Sequence, residues 1–143
     1  MRKKIWIGIA FLVLLLVVLV KLLGPGWLER FNTERQQEAQ EARQSGLAFG
    51  QQADQMQCLN QALTDFTSCS GSGCTIKQGV FLKACWENAS QTEGFCEDVP
   101  AFEEKPNEEA KEWAKHSCWA RNIPGEGCRL LMRQRQQLCT QSD

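Results

Sequence analysis

The chain has 143 residues, a formal net charge of -1, eight cysteines, one histidine and no tyrosine. The near-neutral charge excludes a whole-protein nucleic-acid footprint, and the single His116 thins the supply of general bases and metal ligands before any motif is sought. Eight cysteines in so short a chain point to covalent staples in an oxidising compartment.

Residues 1–4 form a short basic tail with Arg2, Lys3 and Lys4. Residues 5–23 follow as an apolar run interrupted only by Gly8 and Lys21. At about 1.5 Å per residue it spans roughly 30 Å, the hydrocarbon thickness of a bilayer. Trp6 and Trp27 bracket it as interfacial tryptophans do. The basic tail predicts a cytoplasmic N-terminus and an external C-terminal body. Lys21 sits near the outer end, where it snorkels. A cleaved signal peptide is the competing reading. The apolar run exceeds the usual h-region, and Gly24-Pro25-Gly26 makes a poor cleavage site. Both readings put the cysteines in the oxidising space.

Gly24-Pro25-Gly26 is expected to end the membrane helix. Residues 24–50 then read as a juxtamembrane stalk. Glu34, Arg35, Glu38, Glu41 and Arg43 form helix well, but Leu28, Phe31, Ala39 and Ala42 are too thin a stripe for a core face. A solvated stalk helix is expected, with a self-associating coiled coil as the alternative. Ser45-Gly46 and Gly50 read as a hinge or helix break.

Residues 51–143 are the folded domain, roughly ninety residues, enough for one small core. Its organising stretch runs from Cys58 to Cys85. The pattern is Cys-x10-Cys, the loop Ser70-Gly71-Ser72-Gly73, then Cys-x10-Cys again. Eleven residues make about three turns, so each pair shares one helix face. The first helix is expected over Gln51 to Ser68, with Met56, Leu59, Leu63 and Phe66 as its stripe. Thr75-Ile76-Lys77-Gln78 reads as a capping box for the second. Its buried face is expected to use Ile76, Val80, Phe81, Ala84, Cys85 and Trp86, ending near Ala89 to Thr92. Phe95 to Pro106 is a connector. Asn107 is a natural N-cap for a third helix carrying Glu108 and Glu109 in its first turn. Arg121 to Gly125 is a turn. A fourth helix is expected from about Glu126 to Leu138, with Leu130, Leu131 and Leu138 inward. No run alternates long enough for a strand. The fold class is therefore all-α: an N-terminal transmembrane helix, a stalk helix, then two disulfide-stapled antiparallel helical hairpins.

A Cys-x10-Cys pair cannot bond within one helix. Its Cα atoms lie about 16.5 Å apart, whereas bridged Cα atoms lie within about 7 Å. Mirror symmetry then selects Cys58 with Cys85 and Cys69 with Cys74. The longer staple closes a loop of about 28 residues, worth about 3.5 kcal/mol in the chain-entropy picture. For the rest, Cys118 with Cys128 and Cys96 with Cys139 suit an antiparallel hairpin. Cys96 with Cys128 and Cys118 with Cys139 is the sterically allowed alternative. The pattern resembles the twin Cys-x9-Cys helical-hairpin family of the mitochondrial intermembrane space, over Cys58 to Cys85 and in part over Cys118 to Cys139. The spacing here is ten rather than nine, and a membrane segment is added. The resemblance implies a structural or assembly factor rather than an enzyme.

The sequence offers little chemistry. It has no Cys-x-x-Cys for a thioredoxin-type centre and no Cys-x-x-Cys-His for haem. His116 and Cys118 fall short of the four ligands zinc wants. Gly71 and Gly73 serve a turn rather than a phosphate. Glu103, Glu104, Glu108, Glu109 and Glu112 read as a solvated acidic face, partly answered by Arg129, Arg133 and Arg135. Asn88-Ala89-Ser90 is a sequon only in a eukaryotic host. No cofactor, metal or small-molecule substrate is expected. Trp86 and Trp113 suit core packing, whereas Phe95, Phe102 and Trp119 lie on connectors and turns and are the candidate anchors for a protein partner.

The expected function is a non-enzymatic, membrane-anchored periplasmic interaction protein, a subunit or accessory of a secretion, conjugation or respiratory assembly. Its partner would lie in the periplasm or inner membrane. The alternatives are a protective binder (immunity, inhibitor or entry-exclusion protein) and a thiol-based metal or redox carrier. The expected place is a bacterial inner membrane, with the mitochondrial inner membrane facing the intermembrane space as the alternative.

Overall fold

A computed structural model describes residues 2–69 and 71–141. Ser70 of the expected loop lies outside the described residues, as do the side chains of Arg2, Lys3 and Lys4. Among the described residues the chain is all-α, with five helices: α1 (Arg2–Gly50), α2 (Gln55–Thr67), α3 (Ser72–Asn88), α4 (Glu108–Trp119) and α5 (Glu126–Gln141). Among the described residues the only β pairing is an isolated bridge between Asp54 and Ser90. The chain divides into two compact units, residues 1–37 and 38–143.

In the first unit, Gly24-Pro25-Gly26 does not end the helix as the sequence predicts. It bends it, because proline removes one backbone donor and crowds the preceding turn without forbidding helix on both sides. Among the described residues no single unbent helix is long and apolar enough to cross a membrane. Gly8–Leu22 and Gly26–Gly50 meet that requirement only as a bent pair. The apolar side chains from Ile9 to Leu22 are exposed all round, a pattern that calls for an apolar surrounding. Beyond the bend, Trp27 stacks on Phe31 with ring centroids 5.8 Å apart, and the Arg35 guanidinium lies 5.4 Å from the Phe31 centroid.

In the second unit Ser45 and Gly46, read as a hinge or helix break, are helical, whereas α1 does end at Gly50. The reason is packing. Ala42, Gly46 and Gly50 recur every four residues on one face and are all buried. A Cβ on Gly46 would stand 2.5 Å from the Phe81 carbonyl oxygen and 3.1 Å from the Cys85 nitrogen. A Cβ on Gly50 would collide with the Cys85 carbonyl. Small residues thus let the backbones of α1 and α3 touch. Phe49 meets Phe81 at 5.9 Å, and Asn88 Nδ2 donates to the Leu47 carbonyl at 2.9 Å. That carbonyl is among the last four of α1, which have no partner within the helix.

α2 starts later than expected, at Gln55, on a capping box. The Asp54 carboxylate accepts from the Gln57 N–H, and Gln57 Oε1 accepts from the Asp54 N–H. The box predicted at Thr75 to Gln78 does not form. α3 begins at Ser72, with Gly71 at the N-cap and no side-chain cap, so Thr75 already lies inside the helix. Leu59 and Leu63 are buried with Met56 and Phe66 packed against them, as the stripe requires. On α3, Phe81, Leu82, Ala84 and Cys85 are buried, but Ile76 is 63% exposed. Ile76 sits about 200° round the helix from buried Gln78, so it points outward. α4 is capped as expected, with Asn107 Oδ1 accepting from the Ala110 N–H at 2.8 Å. On α5, Leu131, Met132 and Leu138 are buried, while Leu130 is 48% exposed, one residue off the inward face.

The disulfides join Cys58 to Cys85, Cys69 to Cys74, Cys96 to Cys139 and Cys118 to Cys128. The first two close the α2–α3 hairpin and the last closes α4–α5. Cys96–Cys139 ties the connector to the end of α5. The hairpins pack through α3 and α5: Gln134 Nε2 donates to the Gly79 carbonyl at 2.7 Å, and Gly127 faces the Phe66 ring and the Thr75 hydroxyl. Gly46→Ala should therefore destabilise the disulfide-intact protein by about 1–3 kcal/mol, the usual cost of overpacking. Gly26→Ala, with open space around it, should not. Denaturant melts of both variants check this.

Candidate partner-binding surface

The three candidate aromatics have three different fates. Phe95 is 1% exposed and belongs to the core. It is not a free anchor, because two restraints draw it inward. Arg135 Nε donates to its carbonyl at 2.8 Å, and the neighbouring Cys96 is bonded to Cys139. The Arg135 guanidinium also lies 5.1 Å from the Phe95 ring and 5.7 Å from Trp113. Burial, with the like charge of Arg121, holds Arg135 below the ordinary arginine pKa.

Phe102 is half-buried. Its N–H donates to Thr140 Oγ1 at 2.9 Å, and the Arg133 guanidinium covers its ring at 5.1 Å. Arg133 also donates to the Glu103 carbonyl at 2.8 Å, and Arg129 pairs with Glu126 of its own helix at 2.8 Å. So Arg129, Arg133 and Arg135 do not answer the acidic run in the way expected. Glu108 and Glu112 pair instead within α4, with Lys111 and Lys115.

Trp119 is 55% exposed. It ends α4, and Cys118 beside it is bonded to Cys128. Behind it the chain reverses through Asn122 and Gly125, both at positive φ, where asparagine and glycine are tolerated. The turn is held by the Ile123 N–H on the Cys118 carbonyl at 3.0 Å and by Arg121 on the Ser117 carbonyl at 3.0 Å. Glu112, Lys115, His116 and Trp119 fall on one face of α4, spaced three, four and seven residues from Glu112. Lys115 Nζ lies 4.7 Å from the indole centroid and donates to Glu112 at 3.0 Å. His116 meets the indole edge-on at 5.3 Å and lies 3.4 Å from Glu112. The Lys115 hydrogen bond, with the nearby charges, holds the Glu112 carboxyl below the ordinary glutamate pKa.

Beside the indole lies a cavity of about 200 Å3 lined by Lys115, Cys118, Trp119, Ile123, Gly125 and Arg129. Arg129 here and Arg133 over Phe102 are four apart on α5, so they share one face. Trp119 and Phe102 therefore belong to one strip along α5, and Phe95 does not. The ladder through Lys115 and His116 escaped the sequence reading, although its helical spacing was the available signal. Among the described residues no group of three metal-ligating side chains gathers anywhere. The arrangement offers an aromatic anchor and a polar rim.

Comparison of this chain with protein family profiles, curated proteins and solved structures returns no match.

Phe95→Ala should lower stability by about 3–5 kcal/mol, as emptying a core phenylalanine site does. Phe102→Ala should cost far less. Thermal melts of the two variants compared with the parent protein test this assignment.

Proposed function

We propose that this chain is a non-enzymatic interaction protein anchored in a bacterial inner membrane. Its N-terminus faces the cytoplasm and its stapled domain faces the periplasm. There it acts as a subunit or accessory of an envelope assembly of the secretion, conjugation or respiratory kind. The observation that carries this reading is Trp119, an exposed indole on a disulfide-locked hairpin tip, rimmed by Lys115, His116 and Arg129. An aromatic inside a polar rim is the usual anatomy of a binding hot spot. The locked turn lowers the ordering cost of binding.

Support for the compartment comes from the four disulfides, which point to an oxidising, extracytoplasmic space. The apolar N-terminal helix and the basic residues Arg2, Lys3 and Lys4 support the anchor and its orientation. All eight cysteines are bonded, so a thiol-based carrier would lack its thiols.

Two measurements follow. A periplasm-active reporter fused after Asp143 should be active, and alkylation of the unreduced, denatured protein should label none of the eight cysteines. Activity only from a cytoplasm-active reporter, or several reactive thiols, would remove the compartment assignment. In affinity purification from mildly solubilised membranes, stoichiometric resident partners are expected, whereas a conditional protective binder would show none. Trp119→Ala should weaken that association about tenfold or more, in keeping with a hot-spot loss above about 1 kcal/mol. Its melting temperature should hardly change, because the indole is mostly exposed. Unaltered association would defeat the Trp119 reading.

A further inference from the structure

The outer face of α2 is unlike the other exposed helix faces of the folded unit. Gln55–Thr67 contains one charged residue, Asp65. The shorter α4 carries Glu108, Glu109, Lys111, Glu112 and Lys115. Solvated helix faces ordinarily hold about 25–35% charged residues, so a nearly charge-free face calls for another explanation. Its outward residues Gln57, Asn60, Gln61 and Thr64 recur at the spacing of a single stripe. Together with Phe49, Gln52 and Ala53 they line a shallow, open groove of about 440 Å3.

The hydrogen-bonding groups in this groove are part-used in a complementary way. Gln57 Oε1 accepts from the Asp54 N–H at 2.9 Å, which leaves its Nε2 as a donor. Gln61 Nε2 donates to Asp65 at 2.9 Å, which leaves its Oε1 as an acceptor. The Thr64 hydroxyl donates to the Asn60 carbonyl at 2.8 Å and keeps an acceptor lone pair. The exposed amides of Gln52 and Asn60 offer both kinds of group. Phe49 supplies an aromatic surface, fixed against Phe81 at 5.9 Å. The frame beneath is rigid. Cys58 is bonded to Cys85, and the start of α2 is pinned by the Gln55 N–H on the Ser90 carbonyl at 3.0 Å.

A charged ligand would find no counter-charge among these lining residues. A purely apolar one would strip the amides of water and give nothing back. What fits is a neutral molecule with hydroxyls that both donate and accept, and with a C–H face for Phe49. We propose that the α2 groove binds an uncharged oligosaccharide. Disulfides form in secreted, lumenal and periplasmic spaces, the side of the membrane that carries cell-surface glycans. This site is separate from the Trp119 surface and does not rest on it.

The test uses the full chain in phospholipid nanodiscs, free of sugar-headed detergent. Cellotetraose and chitotetraose are titrated by calorimetry and by saturation-transfer difference NMR. Saturable binding of at least one is expected in the millimolar range or tighter. Asn60→Ala should weaken it about fivefold, the loss of one neutral hydrogen bond, with an unchanged melting temperature. Trp119→Ala should leave it alone. The proposal is overturned if neither sugar binds saturably, or if Asn60→Ala binds as well as the parent. It is equally overturned if neither sugar binds and Asn60→Ala instead releases a co-purifying protein, which would make the groove a protein contact.

Discussion

Cys85 holds three helices at one level of the domain. Its sulfur is bonded to Cys58 of α2, and its own backbone nitrogen and carbonyl oxygen face Gly46 and Gly50 of α1. The covalent bond fixes the height of α2 against α3. The glycines let α1 approach the same turn of α3 more closely than any side chain would allow. Helices in small domains usually meet through interdigitated side chains about 8–10 Å between axes. Here part of the core is built from backbone contact, and Phe49 and Phe81 fill the space at its edge. A domain with few large apolar residues gains rigidity in this way without enlarging its core.

The second hairpin is organised around polar groups. Arg135 and Gln136 are buried, as is Gln78 of α3 in the first hairpin. Among the described residues Arg135 has no carboxylate partner. Its charge is met by the Phe95 carbonyl and by the faces of Phe95 and Trp113. A buried guanidinium is tolerable when hydrogen bonds and aromatic faces replace its water. The Arg135 contact and the Cys96–Cys139 bond act on adjacent residues of the connector, so the segment after Gly94 has little freedom left. Phe95 is thus part of the core and anchors the start of the connector, whose residues 96–98, 101 and 103–105 stay exposed.

With both hairpins locked and the start of the connector tied down, the partner proposed above would meet surfaces that are already formed. The Trp119 strip along α5 and the groove along α2 differ in chemistry. The first combines an indole with paired charges, and the second combines a phenyl ring with neutral amides. Rigid display of this kind suits a protein whose role is to hold a fixed contact, since little conformational entropy is lost on binding.

Cysteine spacing alone carried much of the fold. Helix rise forbids a bond across ten intervening residues, so Cys58, Cys69, Cys74 and Cys85 can only pair between helices. The antiparallel hairpin follows, and Asn107 marked the start of α4 by its capping chemistry. The sequence put Trp119 among the connectors and turns, whereas it is the last residue of α4. It paired Cys96 with Cys139 but could not place Phe95, because Arg135, whose guanidinium holds the Phe95 carbonyl, lies forty residues away. It misread Gly46 as a hinge or helix break, although α1 does end at Gly50. Glycine lowers helix propensity locally, and only the approach of α3 turns that weakness into a close fit. Ile76 and Leu130 looked inward by type, yet a helix has one buried face, and the partner helix decides where that face lies. Local rules fix which residues can be helical and which cysteines can meet. Burial depends on neighbours distant in the chain, so only the tertiary structure decided which aromatics remain on the surface.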